Sequence, residues 1–99
     1  MTRIEFDWDP VKARSNLAKH GVSFEQAMGV FADPLALSRL DDQGPGEERW
    51  ITLGMAGAGR LLLVVHTHIE LSDDRIAIRI ISARPASRRE ARQYEEGLA

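Results

Sequence analysis

The amino-acid sequence predicts one α+β domain, with a mostly antiparallel sheet, two N-terminal helices and one C-terminal helix, in the order β-α-α-β-β-β-β-α. Residues 4–8 alternate apolar and acidic side chains, as a half-buried strand does. Ser23 and Ser87 each begin a capping box, which predicts two helix starts. The apolar run at residues 61–65 is typical of an inner strand. At this length we expect a single domain over residues 1–99.

The N-terminal helices are predicted by signals at their ends. A helix over Pro10–His20 has an aspartate before it, proline at its first position and glycine after its last residue. A second helix follows the Ser23 capping box and should end at Asp33, which precedes a proline.

Four further strands and a helix complete the prediction. The strands are expected at residues 35–38, 50–55, 60–70 and 75–83, with an acidic, glycine-containing loop at residues 41–48. The Ser87 capping box then predicts a helix over Arg88–Glu96 that ends at Gly97.

Positive charge is concentrated near the C-terminal end. The formal net charge is −2, yet residues 75–92 contain six arginines and a single acid, Glu90. Such a cluster suits an anionic partner, either a phosphate backbone or an acidic protein.

The absence of cysteine excludes disulfides, thiolate metal sites and a cysteine nucleophile. No apolar stretch resembles a signal peptide or a membrane span, so we expect a cytoplasmic protein with no membrane contact.

One face of the first helix combines cations, an amide and an imidazole. The residues at helical spacing are Lys12, Asn16, Lys19 and His20. Such a face is either simply solvated or contacts phosphate, with His20 as a proton donor.

Arg79 is expected at the centre of the last strand, beside small residues and opposite an isoleucine face. An arginine in such a shallow groove can bind phosphate through two hydrogen bonds and stabilise transition-state charge. The alternative is a surface arginine paired with an acid or with an acidic partner protein. Strict alternation places Arg84 on the opposite face from Arg79, unless a bulge or the strand end turns it.

Two weaker patterns remain. His66 and His68 are two residues apart on one strand and could bind a metal, although no third ligand is identifiable. On the last helix, Arg88, Arg89 and Tyr94 are either a solvated face or a surface that contacts RNA, with the tyrosine ring stacking on a base.

Several segments in combination resemble the BrnT family of toxins, and the resemblance extends from about residue 4 to residue 96. The segments are Phe6-Asp7-Trp8-Asp9-Pro10, Lys12-Ala13, Asn16, Lys19-His20-Gly21-Val22-Ser23-Phe24-Glu25, Phe31-x-Asp33-Pro34, Glu48-Arg49-Trp50, Gly59-Arg60, Ile80-Ile81-Ser82-Ala83-Arg84 and Glu90-x-x-x-Tyr94.

The resemblance implies a RelE-like fold and a ribonuclease toxin of a type II toxin–antitoxin pair. It also implies a BrnA-like antitoxin that neutralises the toxin in a heterotetramer or larger complex and that alone contacts DNA. No cofactor is expected. Residues 1–50 contain nine acidic and six basic residues, so this half should face away from RNA or the binding should be weak without an adaptor.

Metal-independent RNA cleavage requires removal of the 2′-hydroxyl proton, stabilisation of the phosphorane charge and protonation of the 5′-oxygen. The expected catalytic residues are Lys19, His20, Arg79 and Arg84. The expected RNA contacts are Lys12, Asn16, Arg60, Arg88, Arg89 and Tyr94. Two other readings stay open: a binding module without catalysis, and a metal-dependent nuclease built on His66, His68 and an aspartate.

Overall fold

The computed structural model describes residues 1–41 and 48–97. Its strands are β1 (Arg3–Trp8), β2 (Leu37–Asp41), β3 (Arg49–Ala56), β4 (Arg60–His66), β5 (Ile69–Ser72) and β6 (Arg75–Pro85). Its α-helices are α1 (Pro10–His20), α2 (Phe24–Met28) and α3 (Arg88–Glu96). All the predicted helices are present, and both predicted capping boxes form.

The strands make one mixed sheet in the order β1-β6-β4-β3-β2, and β5 lies alongside β6 beyond the end of β4. All neighbouring pairs are antiparallel except β1 and β6, which run parallel from Arg3 opposite Arg75 to Trp8 opposite Ile80. The predicted α+β class and mostly antiparallel sheet are confirmed. The two strands of the parallel pair come from distant parts of the sequence. No local turn connects them, so no turn signal in the sequence specifies their relative direction.

One face of the sheet, here called the inner face, carries the main core. Side chains from α2 and its surroundings, including Phe24, Ala27 and Val30, are completely buried against it. From the sheet, Val64 and Ile80 meet them. The second helix continues past Met28 only as a 3₁₀ turn to Ala32, and the chain then leaves at Asp33 as predicted.

The opposite face, here called the outer face, is covered unevenly. Over β2, β3 and β4, α3 covers Leu37, Leu53 and Leu63. The part formed by β1 and β6 is open, and Asp7 and Arg79 are exposed there. Within the described residues, no helix has the length and apolar character needed to cross a membrane.

The largest errors in the sequence-based boundaries concern two strands. The strand expected over residues 60–70 is interrupted at Thr67 and His68, because the register shifts where β4 ends. The strand expected over residues 35–38 begins at Leu37 and continues to Asp41, which the prediction had placed in the loop. The rest of that loop, residues 42–47, lies outside the described residues.

Candidate nucleic-acid interface

A β-bulge in β6 determines which of its side chains share a face. His66 pairs with Ile80 but Val65 pairs with Ser82, so Ile81 is an extra residue on β6. Beyond it, Ala83 is buried in the core as Ile80 is, although their numbers differ in parity.

The bulge therefore brings Arg84 to the outer face. Arg84 pairs with Leu63, which lies on the outer face, and Arg79 also points outward between two buried isoleucines. Strict alternation would place the two arginines on opposite faces unless a bulge or the strand end turned Arg84, and the bulge does so. An inserted residue reverses the alternation, and nothing in the period of the sequence marks it.

Asn16 joins α1 to β6 and is 7% exposed. Its Nδ2 donates to the carbonyl of Ala83 at 2.8 Å and to that of Val22 at 3.0 Å, and its Oδ1 accepts from the N–H of Ala83 at 3.1 Å. Since β1 ends opposite Ile80, this amide satisfies backbone groups that a neighbouring strand would otherwise pair. The structure thus gives Asn16 a role inside the fold, while α1 lies beside the last strand as the predicted site requires.

A groove of about 200 Å³ lies between α1 and the bulged part of β6. Lys12, Lys19 and His20 line it from the helix, and Ser82 lines it from the strand. Ser82 pairs with Val65 on the outer face, so the groove opens on the face that carries Arg79 and Arg84.

Arg60 extends the basic surface past the end of α1. Its Nη1 donates a long hydrogen bond of 3.4 Å to the carbonyl of Gly21, the residue that caps α1 in the left-handed conformation. This contact places a cation at the C-terminal end of α1, where the negative end of the helix dipole attracts it.

Arg84 is held in a double ion pair. Its Nη1 and Nη2 donate to the two carboxylate oxygens of Glu90 at 2.9 and 2.8 Å, and Glu90 also accepts from the N–H of Ser87 at 2.8 Å. Hydrogen bonding from Arg84, helped by Ser87, lowers the pKa of Glu90 to about 2, and the same contact raises the pKa of Arg84. Arg84 thereby fastens the first turn of α3 to the sheet.

Tyr94 fastens the last turn of α3. Its hydroxyl donates to Asp33 Oδ2 at 2.6 Å, and Asp33 also accepts from the backbone N–H groups of Met55 and Leu35. These three hydrogen bonds, that of Tyr94 first, lower the pKa of Asp33, and the contact with Asp33 raises the pKa of Tyr94.

Arg79, in contrast, makes an exposed ion pair. Its Nη1 lies 2.6 Å from Asp7 Oδ1, and the two side chains are 50% and 65% exposed. Pairs of this kind contribute little to stability, so another anion can replace the carboxylate at small cost.

Comparison with known proteins identifies the family. The family model described as the ribonuclease toxin, BrnT, of type II toxin–antitoxin systems matches residues 8–90. The chain belongs to the BrnT family.

A solved BrnT structure supports the fold of this family member. The chain is similar to the 1.1 Å crystal structure of the Brucella abortus ribonuclease toxin BrnT, with 20% sequence identity and a TM-score of 0.59. The match covers 87% of this chain and 100% of that chain. No curated protein sequence matches the chain. Because a BrnT toxin belongs to a type II toxin–antitoxin system, family membership also implies an antitoxin partner.

The histidine pair does not form the metal site considered from the sequence. His66 is buried, with Nδ1 bonded to the carbonyl of Thr67 at 3.0 Å and Nε2 bonded to Thr52 Oγ1 at 2.7 Å, while His68 is exposed beside Trp50. In the part of the chain that the structure describes, no group of three potential metal ligands is close together.

Other candidate residues of this BrnT family member lie on the surface. Arg88 and Arg89 are exposed on the first turn of α3. Sequence reasoning missed the bonds of Asp7 to Arg79 and of Asp33 to Tyr94, because these partners are distant in sequence. It predicted Glu90 in the capping box but missed its ion pair with Arg84. For all three acids, their place in the family-like segments was the available signal.

Proposed function

We propose that this BrnT family member is an endoribonuclease that cleaves RNA without a metal ion and thereby inhibits translation and growth. The observation that carries the proposal is the bulge in β6. It turns Arg84 to the outer face, where Arg79 lies and where the groove with Lys19 and His20 opens. A cationic surface of this kind suits a phosphate backbone.

Arg79 is our candidate for the scissile phosphate. Its exposed guanidinium can exchange Asp7 for phosphate and stabilise the negative charge of the phosphorane. His20 and Lys19 are the candidates for proton transfer at the 2′-hydroxyl and 5′-oxygen, since the groove exposes both beside Ser82. Arg84 supplies positive charge from a fixed position, because two of its nitrogens are held by Glu90.

The wider RNA path is proposed to include Lys12, Arg60, Arg88 and Arg89. Lys12 lines the groove, and Arg60 bonds the carbonyl of Gly21 at the C-terminal end of α1. Tyr94 is proposed to offer its ring to a base while its hydroxyl stays bonded to Asp33. Asn16 holds α1 in place through its bonds to Ala83, so we do not include it among the RNA contacts.

We also propose a BrnA-like antitoxin as the partner, in a heterotetramer or larger complex in the cytoplasm. Binding of this partner would neutralise the toxin, and DNA contact would come through the antitoxin alone. Family membership supports the existence of an antitoxin.

The test is cleavage of total RNA by purified protein, with and without EDTA. Arg79→Ala and His20→Ala should each lower the rate on the order of a hundredfold, as expected for loss of one positioned group. Arg14→Ala is the matched control, because Arg14 is an exposed cation of α1 outside the groove lining. Rates within about threefold of wild type in both test variants would refute the assignment, and loss of cleavage in EDTA would refute metal independence.

A binding module without catalysis is the second candidate. It is favoured by one observation: Arg75 and Arg79 on the open part of the outer face already bind carboxylates, those of Glu5 and Asp7. An acidic partner protein could replace them. This candidate predicts a tight complex with the antitoxin and no RNA cleavage at any enzyme concentration.

A further inference from the structure

The pairing of β1 with β6 places acids beside arginines on the open part of the outer face. Asp7 lies opposite Arg79 in the parallel register, and their ion pair measures 2.6 Å. Two residues earlier, Glu5 binds Arg75 at 2.7 Å. Both acids come from the alternating apolar and acidic segment near the N-terminus. The acidic side chains of β1 therefore neutralise arginines of β6.

A recess of about 250 Å³ lies beside this ion pair. Asp7, Thr67, Ile69, Ala77 and Arg79 line it. Ala77 and Thr67 leave space next to the guanidinium, and Ile69 offers an exposed apolar surface for a ribose or base. Thr67 is buried and its hydroxyl already accepts from the backbone N–H of Arg79 at 3.2 Å, so the recess offers a cation and an apolar wall, which suits the phosphate and the ribose or base of one nucleotide.

The two outward arginines differ in how firmly their acids are held. The Glu90 carboxylate is 19% exposed and accepts two hydrogen bonds from Arg84 and one from Ser87. Asp7 is 65% exposed, and among the described residues its side chain accepts one hydrogen bond, that from Arg79. A weak, solvated pair exchanges partners readily, whereas a partly buried double pair does not.

From these contacts we propose that Asp7 is an internal competitor for RNA phosphate at Arg79. A phosphate of single-stranded RNA takes the place of the carboxylate when RNA binds, and Asp7 sets the RNA affinity below what the arginine alone would give. This inference rests on the proposed ribonuclease function and adds a residue that opposes substrate binding. It also explains how a chain with a net negative charge can bind RNA through a basic surface.

The test measures binding of a fluorescent 2′-O-methyl RNA oligonucleotide, which cannot be cleaved through its 2′-oxygen, by anisotropy at several salt concentrations. Asp7→Asn should tighten binding about three- to tenfold at low salt, because one negative charge is removed within a few ångströms of the phosphate. The slope of log affinity against log salt should steepen by up to about 0.7, the single-strand value for one phosphate, because in the wild type the displaced carboxylate takes up a cation and cancels the counterion that the phosphate releases.

Two further variants separate the proposal from a general charge effect. Glu25→Gln removes the same charge from α2, whose neighbours cover the inner face, and should change affinity less than about twofold. In an Arg79→Ala background, Asp7→Asn should give a much smaller gain, because the competitor has lost its target. Circular dichroism establishes that all variants are folded.

Three results would overturn the inference. Unchanged or weaker binding by Asp7→Asn, in a protein whose wild type still cleaves RNA, would refute competition and leave the proposed function intact. An equal gain with and without Arg79 would show that Asp7 acts elsewhere. Failure of both wild type and Asp7→Asn to bind, with no cleavage of total RNA, would overturn both proposals.

Discussion

Replacing Glu90 with glutamine should loosen α3 from the sheet. The substitution keeps an oxygen that can accept from Ser87 but removes the charge and the double hydrogen bond with Arg84. The fall in the pKa of Glu90 from 4.5 to about 2 corresponds to an upper limit of roughly 3 kcal/mol. Arg84 is 40% exposed, so solvent screening reduces the expected loss of unfolding free energy to about 1–2 kcal/mol.

The effect should depend on pH in a defined direction. The pKa of Glu90 is lower in the folded chain, so its stabilising contribution is complete above the unfolded value of 4.5 and is lost as the pH falls through about 2. The difference in unfolding free energy between wild type and Glu90→Gln should therefore be larger at pH 7 than at pH 3.

Urea unfolding at the two pH values measures this difference, and hydrogen exchange of the α3 amides measures release of the helix alone. Glu95→Gln is the control, because Glu95 is exposed on the same helix and has no ion pair within the described residues. An unfolding free energy for Glu90→Gln that matches Glu95→Gln at pH 7, with unchanged exchange in α3, would refute the reasoning.

Two other predictions concern the core. Gly54→Ala should lower the unfolding free energy by about 1–3 kcal/mol, because the new Cβ would lie 3.0 Å from Val30 Cβ and 3.1 Å from Ala36 Cβ; Gly57→Ala, with no atom within 4 Å, should be nearly neutral in the same urea titration. Burial lowers the pKa of His66, so the unfolding free energy should fall as the pH drops below the ordinary value of 6.5. His66→Gln should flatten that dependence between pH 6.5 and 5, and an unchanged slope would contradict the assignment.

Local signals predicted the helices well. Ser23 with Gln26 and Ser87 with Glu90 form both reciprocal capping boxes, and each is complete within four residues. Gly21 ends α1 with a φ of 67°, a left-handed conformation that glycine adopts without strain. Such signals need only neighbouring residues, which is why the sequence contains them in full.

Long-range pairings were not predictable in the same way. The hydrogen bond between Arg79 and Asp7 spans 72 positions of the chain, and that between Tyr94 and Asp33 spans 61. The sequence showed the chemical type of each side chain but could not show which of them would pair. The bulge at Ile81 belongs to the same class, because it is set by the pairing of β4 with β6.

The residues of the family-like segments form two groups: those whose contacts stabilise the fold, and those for which the fold provides no partner in the described part of the chain. Arg84 and Glu90 hold one end of α3, and Asp33 and Tyr94 hold the other, so the helix alone explains why these side chains are needed. Asn16 is likewise explained by its bonds to β6.

Lys19 and His20 have no such explanation. Both border a groove on the outer face, and within the described residues neither side chain makes a hydrogen bond or ion pair. Arg79 has only an exposed partner that another anion can replace. Polar side chains that the fold leaves uncommitted, and that line the groove or the recess, are the ones available to a substrate. That difference from Arg84, more than the number of arginines, is why the proposed chemistry centres on Arg79, Lys19 and His20.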